Sequence, residues 1–214
     1  ARLWLDLGDP VEAYTLLEGM LAAPSPRAEV HELLERLVSL PSARDSLVPG
    51  EERQKRRQKA RSVRHAAAEL LCKRYEGQGR VSDVARMLEV ELELAETRAE
   101  RVQGLQRIIA LRLESMDDPS GAFEALAQVV ALEPSVAEHR EKLAELAKAT
   151  EDQHRRADLL VTIADGVEDR TTMASLLLEA ARVRKHETAD AAGALPLFLR
   201  VLEECADDRP LALQ

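Results

Sequence analysis

The sequence predicts an all-α fold in which antiparallel helix hairpins stack into an α-solenoid. Three observations carry that prediction. The 214-residue chain is rich in helix formers, with Leu, Ala and Val supplying most of its 45% hydrophobic content and aromatics only 2%. Strand pairs and the wide cores of α/β folds usually use more aromatic side chains. Apolar residues recur every three or four positions, the spacing of one helix face, and no segment alternates as a half-buried strand would. The pattern also repeats, and repetition at a period of tens of residues marks stacked units that cannot bury their apolar faces alone.

The repeat is visible in short segments. Asp9-Pro10-Val11-Glu12-Ala13-Tyr14, Asp118-Pro119-Ser120-Gly121-Ala122-Phe123 and Asp190-Ala191-Ala192-Gly193-Ala194-Leu195 align. Each is followed by an apolar residue four places after the Ala (Leu17, Leu126, Phe198) and another three places later (Met20, Val129, Val201). The Asp suits an N-cap, where its carboxylate accepts an orphan backbone N–H, and Pro suits the first helical position. Ala85-Arg86-Met87-Leu88 and Ala157-Asp158-Leu159-Leu160 form a second family of segments. The marker alanines 85, 122, 157 and 194 are then separated by 37, 35 and 37 residues, and Ala13 lies 72 before Ala85. A period of about 36 residues fits two helices of about 14 residues with their turns.

In chain order, helices are expected near 9–22, 27–40, 52–76, 82–96, 98–116, 119–132, 136–149, 153–168, 171–187 and 190–205, with residues 1–7 as the end of a preceding helix. Most of the nine Gly and nine Pro fall between them, as at Pro24 to Pro26, Pro49-Gly50, Gly77 to Gly79 and Glu133-Pro134. In the 98–116 segment Val102, Leu105, Ile109, Leu113 and Met116 form a predicted buried stripe, with Gly104, Arg107, Ile108, Leu111 and Ser115 on a neighbouring one. Two such stripes imply packing on two sides.

Residues 102–134 resemble the tetratricopeptide repeat (TPR) family: Leu105 and Ile109 in the first helix, small Ala110, then Ala122, Leu126 and the terminal Glu133-Pro134. Lys73, Glu145 and Arg182 stand near places where the family has small residues, so the array looks degenerate, clearer over 61–205 than over 1–60. The resemblance implies a right-handed α-solenoid whose first helices line a concave groove. On that geometry Arg107, Leu111, Ser115, Lys142, Leu146, Glu179, Val183 and His186 would line the groove and take an amphipathic helix or extended peptide. Some members grip a C-terminal carboxylate with Lys and Asn. Here Lys142 is present, but Leu146, Leu111 and Val183 occupy the Asn places, so no such clamp is expected.

No catalytic constellation is visible. His31, His65, His139, His154 and His186 form no His-x-x-x-His or Glu-x-x-His pair, and no glycine-rich phosphate loop is present. Asp117-Asp118, Glu203-Glu204 and Asp207-Asp208 read as helix caps and solvated charges. Cys72 and Cys205 fall on apolar faces of separate helices and read as buried thiols, compatible with a reducing compartment such as the cytoplasm. Neither an enzyme, a metal site nor a cofactor is expected, and no long apolar stretch suggests a membrane span.

Charge is uneven. Residues 1–80 carry 14 Lys and Arg against 12 Asp and Glu, while the rest of the chain carries 16 against 27, for a net −9 overall. The acidic part weighs against nucleic acid or anionic lipid as its partner. The exception is Glu51 to Arg64, with Arg53, Lys55, Arg56, Arg57, Lys59, Arg61 and Arg64. It reads as a helix whose first turns lie in solvent, with docking to an acidic protein, or to nucleic acid or an anionic surface, as the functional alternatives.

The expected organisation is an N-terminal helical repeat over 1–48, a basic extension or linker over 49–60, and a repeat array over 61–214 continuing beyond the C-terminus. Truncated ends would expose Leu3, Trp4, Leu211 and Leu213 and favour self-association. The expected function is a non-enzymatic scaffold binding a protein or peptide in the groove. The rival is a regulatory or sensor segment whose basic helix contacts nucleic acid or an anionic surface.

Overall fold

The computed structural model describes residues 1, 10–21, 28–39 and 50–204. Among these residues the regular structure is entirely helical. The expected helix tail at 1–7, together with Cys205, Leu211 and Leu213, lies outside the described residues, apart from Ala1.

The chain divides into two compact units, residues 1–108 and 109–214. The first holds α1 (Pro10–Leu21), α2 (Ala28–Val38), α3 (Gly50–Gly77), α4 (Val81–Leu94) and α5 (Arg98–Glu114) as far as Ile108. The second holds the end of α5, then α6 (Pro119–Leu132), α7 (Ala137–Thr150), α8 (Gln153–Asp165), α9 (Arg170–Arg182) and α10 (Ala191–Glu204). The expected helix at 171–187 is α9 followed by a wider π turn, Val183–Glu187. The basic stretch 49–60 is no separate element: from Gly50 onward it is the first part of α3.

Helix starts follow from local chemistry. Asp118 accepts a hydrogen bond from Gly121 N at 2.8 Å with Pro119 next to it, and Asp169 accepts from Thr172 N at 2.9 Å. Before α5, Thr97 Oγ1 accepts from Glu100 N at 3.1 Å while Glu100 Oε2 accepts from Thr97 N at 3.1 Å, a reciprocal capping box.

Within each unit sequential helices pack on one another, and several helices are also linked to the next but one. In the first, α3 packs on α1, α2 and α4. There Glu35 of α2 reaches Arg86 of α4 at 2.7 Å, and Glu76 of α3 reaches Arg107 of α5 at 3.4 Å. In the second, Glu124 of α6 meets Arg155 of α8 at 3.0 Å, Arg140 of α7 meets Glu179 of α9 at 3.0 Å, and Asp165 of α8 meets Arg200 of α10 at 2.5 Å. Such skip-one pairing is what stacked hairpins produce.

The cores follow the predicted faces. Ala13, Leu17, Leu34, Leu71, Tyr75, Val84 and Leu88 are buried in the first unit, and Ala122, Leu126, Val129, Leu143, Ala157, Leu160, Leu176, Ala194 and Val201 in the second. Four of the five marker alanines are buried, and Ala85 is half-buried. Three expectations need correction. Met20 is 46% exposed, lying off the buried line of Ala13 and Leu17 on α1. Leu113 and Met116 are 42% and 41% exposed. The buried stripe of α5 is Val102, Leu105 and Ile108 with Gly104, and the helix ends at Glu114 before Met116 is reached.

The repeat is also written in the turns. Asp118 N donates to Arg112 O at 2.9 Å, and Asp190 N donates to Arg184 O at 2.7 Å. Asp117 and Ala189, one residue before each Asp, have φ of 49° and 55°. Gly193 N donates to Asp190 Oδ1 at 2.8 Å, as Gly121 N does to Asp118. Arg112, Asp118 and Gly121 thus recur 72 residues later as Arg184, Asp190 and Gly193. A Cβ at either glycine would overlap the capping carboxylate, so this place in the turn favours glycine.

Candidate functional site

The basic stretch divides into two parts. Arg61 is turned inward: its Nε donates to Leu94 O at 2.9 Å, and its Nη2 to Glu93 O at 3.2 Å and Ala95 O at 3.3 Å. Arg64 Nε donates to Val38 O at 3.0 Å. Each guanidinium closes a helix C-terminus, where unpaired carbonyls and the negative end of the dipole favour a cation. Both arginines therefore belong to the packing of α3 on α4 and α2. Lys55, Arg56, Arg57 and Lys59 are exposed along the first turns of α3, and the side chain of Arg53 lies outside the described residues.

The eight predicted groove residues meet different fates. Ser115, Lys142 and His186 are exposed, and Leu111 and Leu146 half-buried. Lys142 pairs with Glu138 at 2.8 Å on its own helix. Val183 is 2% exposed, part of the core of the second unit and presented to no partner there. Glu179 is held by two arginines: Arg140 Nε at 3.0 Å and Arg156 Nη2 at 2.5 Å. Arg156, 5% exposed, also reaches Glu187 at 3.4 Å, and Arg140 also donates to the Pro134 carbonyl. Glu179 therefore ties α7, α8 and α9 together.

Arg107 belongs to the first unit, where α3, α4 and α5 meet. Its Nη1 lies 2.6 Å from Glu91 Oε2, and its Nη2 lies 3.2 Å from Cys72 Sγ and 3.4 Å from Glu76 Oε1. Glu91 is buried, and burial pushes its carboxyl above the usual range despite the opposing attraction of Arg107. Burial likewise pushes the Cys72 thiol up to about 12, against the pull of Arg107, so the thiol stays protonated and is a poor nucleophile.

A cleft of about 200 Å³ opens over this cluster, lined by His65 and Glu69 of α3, Glu91 and Ala95, and Glu100, Gln103, Gly104 and Arg107 of α5. A second cleft of about 240 Å³ shares His65 and Glu100 and runs past Gln58, Arg61, Ser62, Leu94 and Glu96. Carboxylates outnumber cations in both. Two residues at the heart of this site, Glu91 and Gly104, were not singled out as site residues from sequence. A glutamate on the apolar face of α4, three places after Leu88 and three before Leu94, was the available signal.

The other histidines are dispersed. His31 stacks edge-on against Tyr75 at 5.0 Å, and His154 is exposed. Among the described residues no group of three or more His, Cys, Asp or Glu is placed to hold a metal ion, and no helix is long and apolar enough to cross a membrane. No protein-family model matches the chain, and comparison with curated proteins finds none similar to it.

Proposed function

We propose that the chain is a non-enzymatic protein-interaction scaffold, built as a right-handed TPR-like solenoid of stacked hairpins. The observation that carries the reading is that ion pairs link α6 to α8, α7 to α9 and α8 to α10, each helix to the next but one, reinforced in the second unit by the matching turns at Asp118 and Asp190. Stacked hairpins leave one set of helices lining a continuous face, and such faces suit extended or helical segments of other proteins. Ser115, Lys142 and His186 are the exposed members of the expected groove. Leu195, Leu199 and Leu202, 59%, 49% and 47% exposed, leave an apolar outer face on α10 of the kind a further hairpin covers.

The rival reading rests on the exposed Lys55, Arg57 and Lys59, which suit an acidic or phosphate-bearing surface. Site-specific photo-crosslinking separates the two. A photo-reactive residue at Ser115, Lys142 or His186 should capture one discrete protein, and the same residue at the exposed Gln128 should not. Capture at none of the three, together with polyanion binding that collapses with salt and with Lys55, Arg57 and Lys59 changed to Gln, would replace the scaffold with the regulatory segment.

A further inference from the structure

The cleft over Glu91 holds a charge imbalance that the fold does not resolve. Glu91 is 7% exposed, and its Oε2 is taken by Arg107. Its other oxygen, Oε1, is buried with no hydrogen-bond partner in the protein. A buried carboxylate oxygen left unpaired is costly, and a charge-assisted donor is its natural complement. The neighbouring carboxylates are spent elsewhere: Glu100 accepts from the backbone N–H groups of Glu96 and Thr97, and Glu69 from Lys73 at 2.7 Å. Cations facing Glu91 are Arg107, already engaged, and His65 when protonated.

Gly104 is the second observation. It lies inside α5, buried, where glycine weakens a helix. A Cβ there would meet only Leu92 Cδ1, at an ordinary 3.7 Å, so helix packing does not demand a glycine. Gly104 does line the cleft, beside Ala95, and a side chain there would intrude on that space.

We propose that this cleft receives an arginine side chain from a partner protein, its guanidinium on Glu91 Oε1 and its aliphatic stem along Ala95 and Gly104. Arginine fits better than lysine because its guanidinium is more weakly hydrated than an ammonium, which eases entry to a buried carboxylate. The lining itself, with Glu69, Glu91 and Glu100 against Arg107 and His65, favours a basic partner segment. The proposal rests on the scaffold reading and names what the scaffold grips.

The test titrates Nα-acetyl-arginine amide into the ¹⁵N-labelled full chain, with the citrulline and lysine analogues in parallel. Expected are saturable shifts centred on Glu91, Ala95 and Gly104, none with neutral citrulline, and weaker binding of lysine. Glu91→Gln should weaken arginine binding about tenfold or more, the loss of one charge-assisted contact. Gly104→Ala, which keeps the fold, should weaken it as well and decides the matter if Glu91→Gln unfolds. No saturable shift, an equal response to citrulline or lysine, or binding unchanged in folded Glu91→Gln or in Gly104→Ala would overturn the proposal. Crosslinking at Ser115, Lys142 and His186 does not depend on the cleft, so an empty cleft beside a captured partner refutes the arginine site alone.

Discussion

Replacing Glu179 with Ala should be among the most damaging single changes in the second unit. Its carboxylate accepts from Arg156 at 2.5 Å and from Arg140 at 3.0 Å, and those side chains are only 7% and 13% exposed. Without Glu179, Arg156 keeps Glu187 at 3.4 Å, and Arg140 keeps the Pro134 carbonyl and Ser175 Oγ at 3.5 Å. Removing one partner of a buried ion pair costs about 3–5 kcal/mol, because a desolvated charge is left uncompensated. Glu179→Gln keeps the shape and one acceptor, and should cost about 1–3 kcal/mol. With a urea slope of about 1–3 kcal/mol per molar, the alanine variant should lower the unfolding midpoint by about 1–5 M. Urea titration followed by far-ultraviolet circular dichroism reads this directly. Glu124→Ala is the control: its pair with Arg155 is half exposed on both sides and should cost under about 1 kcal/mol. A Glu179→Ala variant within about 0.5 kcal/mol of the parent would refute the three-helix tie and return Glu179 to the list of residues available to a partner.

Three further outcomes follow from the same geometry. Gly104→Ala should raise stability by about 0.5–1 kcal/mol, whereas Gly193→Ala should gain nothing, because its Cβ displaces the Asp190 cap, worth about 1 kcal/mol; paired thermal melts that move together would contradict this. Arg61→Met should cost about 1–2 kcal/mol through the lost α4 cap, while changing Lys55 and Lys59 together to Gln should stay within about 0.5 kcal/mol; equal losses in denaturant titrations would erase the division of the basic stretch. Glu91 sets a pH dependence: its folded pKa lies above the unfolded one, so the folded chain holds this proton more tightly, and the group's contribution to stability falls as pH rises from the unfolded value of about 4.3 to the folded value. Facing it are His65 and Glu69 from α3 and Glu100 and Arg107 from α5, all retained in Glu91→Gln, which should therefore show a shallower decline over that window; parallel profiles would disprove it.

Helices and turns were legible because their signals are local. Asp118-Pro119 and Asp190 announce helix starts by cap chemistry, and the spacing of Ala122, Leu126 and Val129 announces one buried face. The capping box Thr97 to Glu100 is equally local. Roles that depend on which helix a side chain meets were not legible. Arg61 and Arg64 look like their neighbours Arg57 and Lys59 in sequence, yet they fall where α3 passes the ends of α4 and α2. Glu179 and Val183 sit four apart on one face, as groove residues would, but α7 and α8 cover that face of α9. Arg107 faced the same ambiguity and is committed to Glu91, Cys72 and Glu76, so charge reversal there would add a third carboxylate to Glu91 and Glu76, whereas Lys142 is exposed and pairs with Glu138 on its own helix.

The central claim, a right-handed solenoid of repeated hairpins, is tested most directly by a crystal structure of the chain, from which the screw relating hairpin α7–α8 to hairpin α9–α10 is measured. The account predicts a right-handed screw that places α9 against α7 and α10 against α8, with the turns at Asp118 and Asp190 superposing. A left-handed screw, or helices closing into a bundle with α7 packed on α10, would contradict it.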